Sequence, residues 1–245
     1  MLYDTIGIQY TDYRRPDPRI SELILREIGP TGKIVNVGAG VGSYEPSGRD
    51  VVAVEPSWAM ISQRTEKQAP VVQALAERLP FKDRTFDVAT AILTIHHWSD
   101  IEQGLREMSR VTNGKIILLT WIGFVDNFWL LDYLPQIKKT DEPLFPTVNQ
   151  LTDILGPLRV IPVRIPHDCT DGFLCAYWRR PRFYLDEGVR RAISSFSRIT
   201  DFEEGLKRLR DDPESGRWSD KYQAILARTS MDFGYRLVVK DQDPA

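Results

Sequence analysis

Three glycines in one turn and a carboxylate further along are the first residues with chemistry to offer. The stretch Lys33–Ser57 reads KIVNVGAGVGSYEPSGRDVVAVEPS: an apolar run, then Gly38, Gly40 and Gly42, then a second apolar run closed by Glu55. Glycines directly after a buried strand let a ligand approach the main chain where a Cβ would collide. A carboxylate ending the next parallel strand can accept hydrogen bonds from both hydroxyls of a ribose. The competing explanation is a tight turn beside a surface glutamate, and the register of both strands with the acid weighs against it. A dinucleotide would need G-x-G-x-x-G and a helix N-terminus for its pyrophosphate. Here the spacing is G-x-G-x-G, and only SYEPSGRD, with Pro46 and Gly48 inside it, separates Gly42 from Val51. The expected ligand is therefore a nucleoside without phosphates.

A second chemical feature is His96-His97 in TIHHWSD, directly after the apolar run FDVATAIL. Histidine has an ordinary pKa near 6.5 and can act as a base at neutral pH. Two readings stay open for the pair: one residue removes a proton, or one caps the next helix while the other packs beneath a ligand. Trp98, Trp121, Phe124, Phe128, Trp129 and Tyr133 concentrate aromatic surface after the same sheet edge. Most such residues are core, and a minority is expected in a substrate wall, with Trp98 and Trp121 the candidates. HDCTDGF adds Asp168 and Asp171, which either bond a substrate hydroxyl or amine or stabilise their own turn.

These residues need a scaffold, and the apolar pattern supplies one. Asp17-Pro18 reads as an N-cap and first helical position, followed by Ile20, Leu23, Ile24 and Ile28 at helical spacing until Gly29-Pro30. Strands are expected at Ile34–Val37, Val51–Val54, near Val71-Val72, at Phe86–Leu93 and at Lys115–Trp121. Helices are expected from Ser57 and from Ser99 or Asp100, the latter closed by Asn113-Gly114. Alternating strands and helices predict a parallel sheet covered on both faces. Farther on, Asp126–Leu134, Thr147–Leu155, Arg182–Arg210 and Trp218–Arg228 have helical character, while RVIPVRIP (Arg159–Pro166) and FGYRLVV (Phe233–Val239) read as strands.

Composition narrows the function classes. The 245 residues suit one large domain, and Lys+Arg 32 against Asp+Glu 34 leaves a net charge of -2. No global field draws such a chain to nucleic acid or an anionic membrane, although the arginines of WRRPRF and Arg190-Arg191 could anchor a phosphate or carboxylate. No apolar run approaches a bilayer span, and two cysteines are too few for a disulfide framework or a four-ligand zinc site. The expectation is a reduced, cytoplasmic protein with no membrane partner and no metal.

VNVGAGVGSY, VVAVEPSWAM, ALAERLPFKDRTFDVATAILTIHHWSD and REMSRVTNGKIILLTW together resemble class I S-adenosylmethionine-dependent methyltransferases over about residues 10–122. The nearest look is to the small-molecule branch that includes the ubiquinone, menaquinone and trans-aconitate enzymes. The resemblance implies an α/β fold: a seven-stranded, mostly parallel Rossmann-like sheet with helices on both faces, its last strand antiparallel. It implies a single domain over 1–245: an N-terminal cofactor-covering segment at 1–30, a cofactor-binding core at 31–166, a helical insertion capping the substrate at 167–231, and a final strand at 232–240.

The implied cofactor is S-adenosyl-L-methionine. Gly38, Ala39 and Gly40 would line its methionine part and Glu55, followed by Pro56, would hold the ribose. Met60 would pack on adenine, with Ala76 and Glu77 along the base, Leu93 at the end of the fourth strand, and Arg14 of YRRPDP folding over the cofactor. Asn36 stands where the family usually has an acid, and Leu75 where an acid often bonds the adenine amine. The implied partner is a small-molecule acceptor, the chain acting as monomer or homodimer. A methyltransferase acting on tRNA and a non-catalytic binder of the cofactor are the alternatives.

Overall fold

The computed structural model describes residues 13–30 and 32–241. Residues 1–12 of the expected cofactor-covering segment lie outside the described residues. The first helix, α1 (Pro18–Ile28), is capped by Asp17, whose side chain accepts from Arg19 N, and stops at Gly29. Its buried residues Ile20, Ile24 and Ile28 form one stripe, the spacing that a helix needs to lie flat on a sheet.

The sheet then builds outward in both directions from its first strand. Strands β1 (Lys33–Val37), β2 (Asp50–Val54), β3 (Val71–Val72), β4 (Phe86–Ile92) and β5 (Thr112–Trp121) pair in parallel, while β9 (Tyr235–Lys240) runs antiparallel between β5 and β6 (Arg159–Pro162). The order is β3-β2-β1-β4-β5-β9-β6. The seven-stranded, mostly parallel sheet expected for the family is thus present, with its last strand antiparallel. Two apolar clusters cover it: Val35, Val37, Val54, Ala89 and Leu118 on one face with α3 (Ile101–Val111) and α5 (Val148–Leu155), and Ile34, Val51, Val88, Ile117 and Leu119 on the other with α1. Alternate residues of one strand serve opposite clusters, which is why these strands read as unbroken apolar runs.

Several expectations need correction. Asn113-Gly114 does not end a helix; α3 stops at Val111 and β5 begins at Thr112. A Cβ at Gly114 would collide with the carbonyl oxygen of Asp87, where the β4–β5 register shifts, so this glycine serves a close backbone approach within a strand. The helix from Ser57, α2 (Trp58–Ile61), is a single turn capped by the Ser57 hydroxyl. Asp126–Leu134 contains only a 3-10 turn at Trp129–Asp132, followed by α4 (Gln136–Asp141). RVIPVRIP splits at Val163-Arg164 into β6 and β7 (Ile165–Pro166), which belong to different sheets. Pro162 is tolerated because β6 is an edge strand.

Arg182–Arg210 breaks into α6 (Glu187–Arg191) and the start of α7 (Glu203–Glu214), with 3-10 turns at Pro181–Leu185 and Ser194–Arg198. Trp218–Arg228 becomes α8 (Arg217–Lys221) and α9 (Gln223–Leu226). Between β7 and β8 (Ser230–Met231), which pair antiparallel at its neck, this excursion packs Trp178, Tyr184, Val189, Phe196 and Trp218 against Trp129, Phe128 and Phe233. Tight turns replace long helices because the aromatic rings interlock edge to face at centroid distances of 5.1 Å (Trp129–Trp218) to 6.4 Å (Phe128–Tyr184). Among the described residues no helix is long and apolar enough to cross a membrane.

Candidate active site

In an open α/β sheet the ligand crevice lies at the strands' carboxyl ends, where the order reverses. Here that point is between β1 and β4, since β2 and β3 extend to one side and β5 to the other. Gly38 follows β1 and Leu93 follows β4, and a cleft of about 510 Å³ opens between them. The main chain is forced into unusual conformations on both sides. Gly38 has φ 70°, and a Cβ there would collide with the Thr94 side chain. Leu93, a bulky residue, adopts φ 53°, a strained conformation of a kind that concentrates at functional sites.

The glycine turn is pinned from two directions. Glu55 Oε2 accepts from Gly40 N at 2.8 Å and its Oε1 accepts from Ser57 N at 2.9 Å. Arg64 Nη1 donates to Gly40 O at 3.1 Å. A carboxylate has about four acceptor positions, so the group that shapes the turn can also accept from a ligand. Met60 Cε lies 3.3 Å from where a Cβ on Gly40 would stand, which closes the base of the cleft with apolar surface.

Where a helix would follow Gly42 in a dinucleotide site, a buried ion pair takes its place. Arg64 Nη2 donates to both Glu45 oxygens at 2.8 Å, and both side chains are nearly inaccessible. Glu45 Oε2 also accepts from Ala69 N at 3.1 Å. No helix dipole faces the cleft at this turn, in keeping with a ligand that carries no phosphate.

The residues singled out in the sequence fall into three groups. Arg14, Gly38, Ala39, Gly40, Glu55, Pro56, Met60, Ala76, Glu77, Leu93, His96, His97 and Trp98 all line the cleft, as does Leu75. Trp121 lines a second, smaller cavity of about 60 Å³ whose wall shares Arg14, Leu93 and His96 with the cleft. Asn36, Asp168 and Asp171 line neither. Asn36 is buried behind the turn, donating to Glu45 Oε1 at 3.3 Å and accepting from Thr90 Oγ1 at 3.2 Å. Asp168 is exposed and pairs with Arg19 at 2.8 Å. Asp171 is buried and accepts from Arg14 Nε at 2.5 Å and Tyr44 Oη at 2.9 Å. Asp168 thus fastens to α1 and Asp171 to the segment before it, so of the two readings given for these aspartates the structure shows a structural one. Glu77 faces the cleft but spends its carboxylate on Ser99 N, Ser99 Oγ and Asp100 N, which holds it below the ordinary range against the opposing pull of burial.

The histidine pair sits in a 3-10 turn at Ile95–His97, surrounded by protein except where it faces the cleft. Desolvation, then the cations Arg198 and Arg14, push His97 down to about 3. Arg198 Nη2 lies 3.2 Å from His97 Nδ1, and a guanidinium can only donate, so His97 is neutral with its proton on Nε2. His96 is driven well below its ordinary value by burial first, then by His97 and the two arginines. Its ring lies against Phe145 at 4.2 Å, and its buried Nδ1 has no hydrogen-bond partner among the described residues. Arg198, Phe145, Asp141 and Ser195 escaped sequence reasoning. They lie in short helices and turns of the later chain with no spacing signal, and only packing brings them to this edge.

A doubly wound sheet whose switch-point cleft is lined by a glycine turn, a carboxylate and apolar side chains such as Met60 and Leu75 has the features that a nucleoside cofactor needs. Comparison with known proteins names the kind. A family model described as a methyltransferase domain matches residues 35–118. A solved structure from Anabaena variabilis ATCC 29413, assigned as a methyltransferase of an antibiotic biosynthesis pathway, is 35% identical, with 93% of this chain and 98% of that one covered and a TM-score of 0.87. Demethylmenaquinone methyltransferase of Corynebacterium urealyticum is 33% identical over 126 residues, 46% of this chain and 55% of its own. The Bacillus subtilis methyltransferase YcgJ is 31% identical over 141 residues, 52% of this chain and 50% of its own. The chain thus spans about half the length of the curated relatives it matches. It belongs to the class I S-adenosylmethionine-dependent methyltransferases, whose cofactor is S-adenosylmethionine.

Proposed function

We propose that the protein moves the methyl group of S-adenosylmethionine to a small, partly apolar acceptor enclosed beneath the excursion between β7 and β8. The observation that carries this reading is the shared wall: Arg14, Leu93 and His96 face both the cofactor cleft and a second cavity walled by Trp121, Phe124, Phe145, Phe173 and Tyr235. In this reading Glu55 takes the ribose hydroxyls, Gly38, Ala39 and Gly40 admit the methionine part, and Met60 and Leu75 flank adenine. A methyl group on a sulfonium is already activated, so the chain must align the acceptor, exclude water and handle one proton. Histidines held neutral are compatible with the cofactor, because a protonated imidazole beside a sulfonium would repel it. Of the pair, His96 has a ring nitrogen, Nδ1, with no hydrogen-bond partner among the described residues, whereas Arg198 occupies Nδ1 of His97.

The name of the Corynebacterium relative, a demethylmenaquinone methyltransferase, also favours a small acceptor with a ring. The test is incubation with methyl-labelled S-adenosylmethionine and the small-molecule fraction of a cell extract. Label in an organic-soluble product below about 1 kDa supports the proposal. Cofactor binding without transfer to any small molecule refutes it.

A further inference from the structure

The second cavity holds a polar arrangement that the cofactor does not need. Asp141, at the end of α4, is buried to 5% exposure in a wall made largely of aromatic and aliphatic side chains. Its Oδ2 accepts from the Ser195 hydroxyl, while Oδ1 accepts no hydrogen bond among the described residues. Arg198 Nη1 is 3.7 Å from Oδ1, beyond hydrogen-bond range. His96 lines the same cavity, and its buried Nδ1 is likewise without a hydrogen-bond partner among the described residues. A buried polar atom left without a bond is costly, and two of them on one cavity mark a place where a ligand or water completes the set.

Resting on the methyltransferase reading above, we propose that this cavity takes the hydroxyl end of an aromatic acceptor and that Asp141 accepts the hydroxyl proton as the methyl arrives. The walls select the ring: Trp121, Phe124, Phe145, Phe173 and Tyr235 offer faces and edges for stacking. The charges select the donor. Arg14 lines both cavities and Arg198 lies 3.7 Å from Asp141 Oδ1, so a protonated amine there would meet two cations. Against a neutral aromatic amine such as aniline, a phenolic O–H is the stronger proton donor to a carboxylate oxygen in need of one. In the step itself the acceptor oxygen bonds the methyl carbon as the carbon–sulfur bond breaks. The bonding pair stays on sulfur as a neutral thioether, and the hydroxyl proton moves to Asp141. Burial raises the Asp141 pKa, so it holds that proton better than an ordinary carboxylate, whereas both histidines are pushed the other way.

The experiment uses phenol, aniline and toluene as probes, measured by ligand-observed NMR on the full chain saturated with S-adenosylhomocysteine, followed by mass spectrometry of products formed with S-adenosylmethionine. Calorimetry with S-adenosylhomocysteine comes first, and no uptake there overturns the cofactor reading and this proposal with it. With the cofactor bound, phenol is expected to bind at least ten-fold more tightly than toluene or aniline and to yield anisole. Asp141→Asn should cost at least ten-fold in phenol affinity and a hundred-fold in anisole formation, leaving S-adenosylhomocysteine affinity unchanged. Equal binding of phenol and toluene, preference for aniline, or a product methylated on the ring overturns the proposal alone. The probe comparison on the unaltered protein stands even if the variant does not fold.

Discussion

Replacing Glu55 by glutamine tests the cofactor cleft most directly. The carboxylate accepts from Gly40 N at 2.8 Å and Ser57 N at 2.9 Å, one oxygen each. A carboxamide supplies one acceptor oxygen and one donor NH₂, so one of those main-chain amides would face another donor, and a ribose hydroxyl would lose a charged acceptor. Hydrogen bonds to a charged group are worth about 1.5–3 kcal/mol each, so the variant should lose about 2–4 kcal/mol of cofactor binding. At 1.4 kcal/mol per ten-fold, this is roughly a 30- to 700-fold rise in Kd. The orphaned amide also costs about 1–3 kcal/mol of fold stability. Calorimetry with S-adenosylhomocysteine should therefore be run well below the variant's unfolding midpoint, with the fold checked by circular dichroism. A folded Glu55→Gln protein whose Kd rises less than three-fold would refute the assignment of Glu55 to the ribose.

Other perturbations probe the scaffold around the cleft. Gly38→Ala should destabilise by about 2–4 kcal/mol in urea unfolding, since a side chain at φ 70° is strained and would strike Thr94. Arg64→Met should cost about 3–5 kcal/mol by leaving Glu45 buried and unpaired, and a second change, Glu45→Leu, should recover much of it. The histidine pair sets an acid response. Both residues hold protons less readily folded than unfolded, so their contribution is complete above pH 6.5 and is lost as pH falls below it, for His97 toward about 3. Each should steepen the decline by up to about 1.4 kcal/mol per pH unit in that window. His97→Asn should flatten the loss in denaturant titrations between pH 6.5 and 4, and an unchanged slope would contradict the buried, neutral assignment.

What could be read in advance was local. Asp17-Pro18 and Gly29 bound α1, and the runs at Ile34–Val37 and Val51–Val54 became β1 and β2, because caps and apolar periodicity act over a few residues. The glycine turn and Glu55 were legible for the same reason, since consecutive parallel strands bring their carboxyl ends together. Gly114 was misread because a glycine that permits close approach of two strands looks, in one dimension, like one that ends a helix. The long charged-and-apolar stretch Arg182–Arg210 was misread because interlocking rings, not helix periodicity, set its path.

From the linear chain alone came the nucleoside cleft, the absence of a phosphate-binding helix, and the alternating sheet that holds them. Only the fold decided that Asp168 and Asp171 are fasteners, that His97 is held neutral by burial and by Arg198, and that Asp141 lines a second cavity beside the first. The division has one physical cause. Strand ends and turns are determined by neighbours in sequence, whereas the environment of a buried charge is determined by residues far along the chain (His97 and Arg198 are 101 positions apart) that meet only when the core closes.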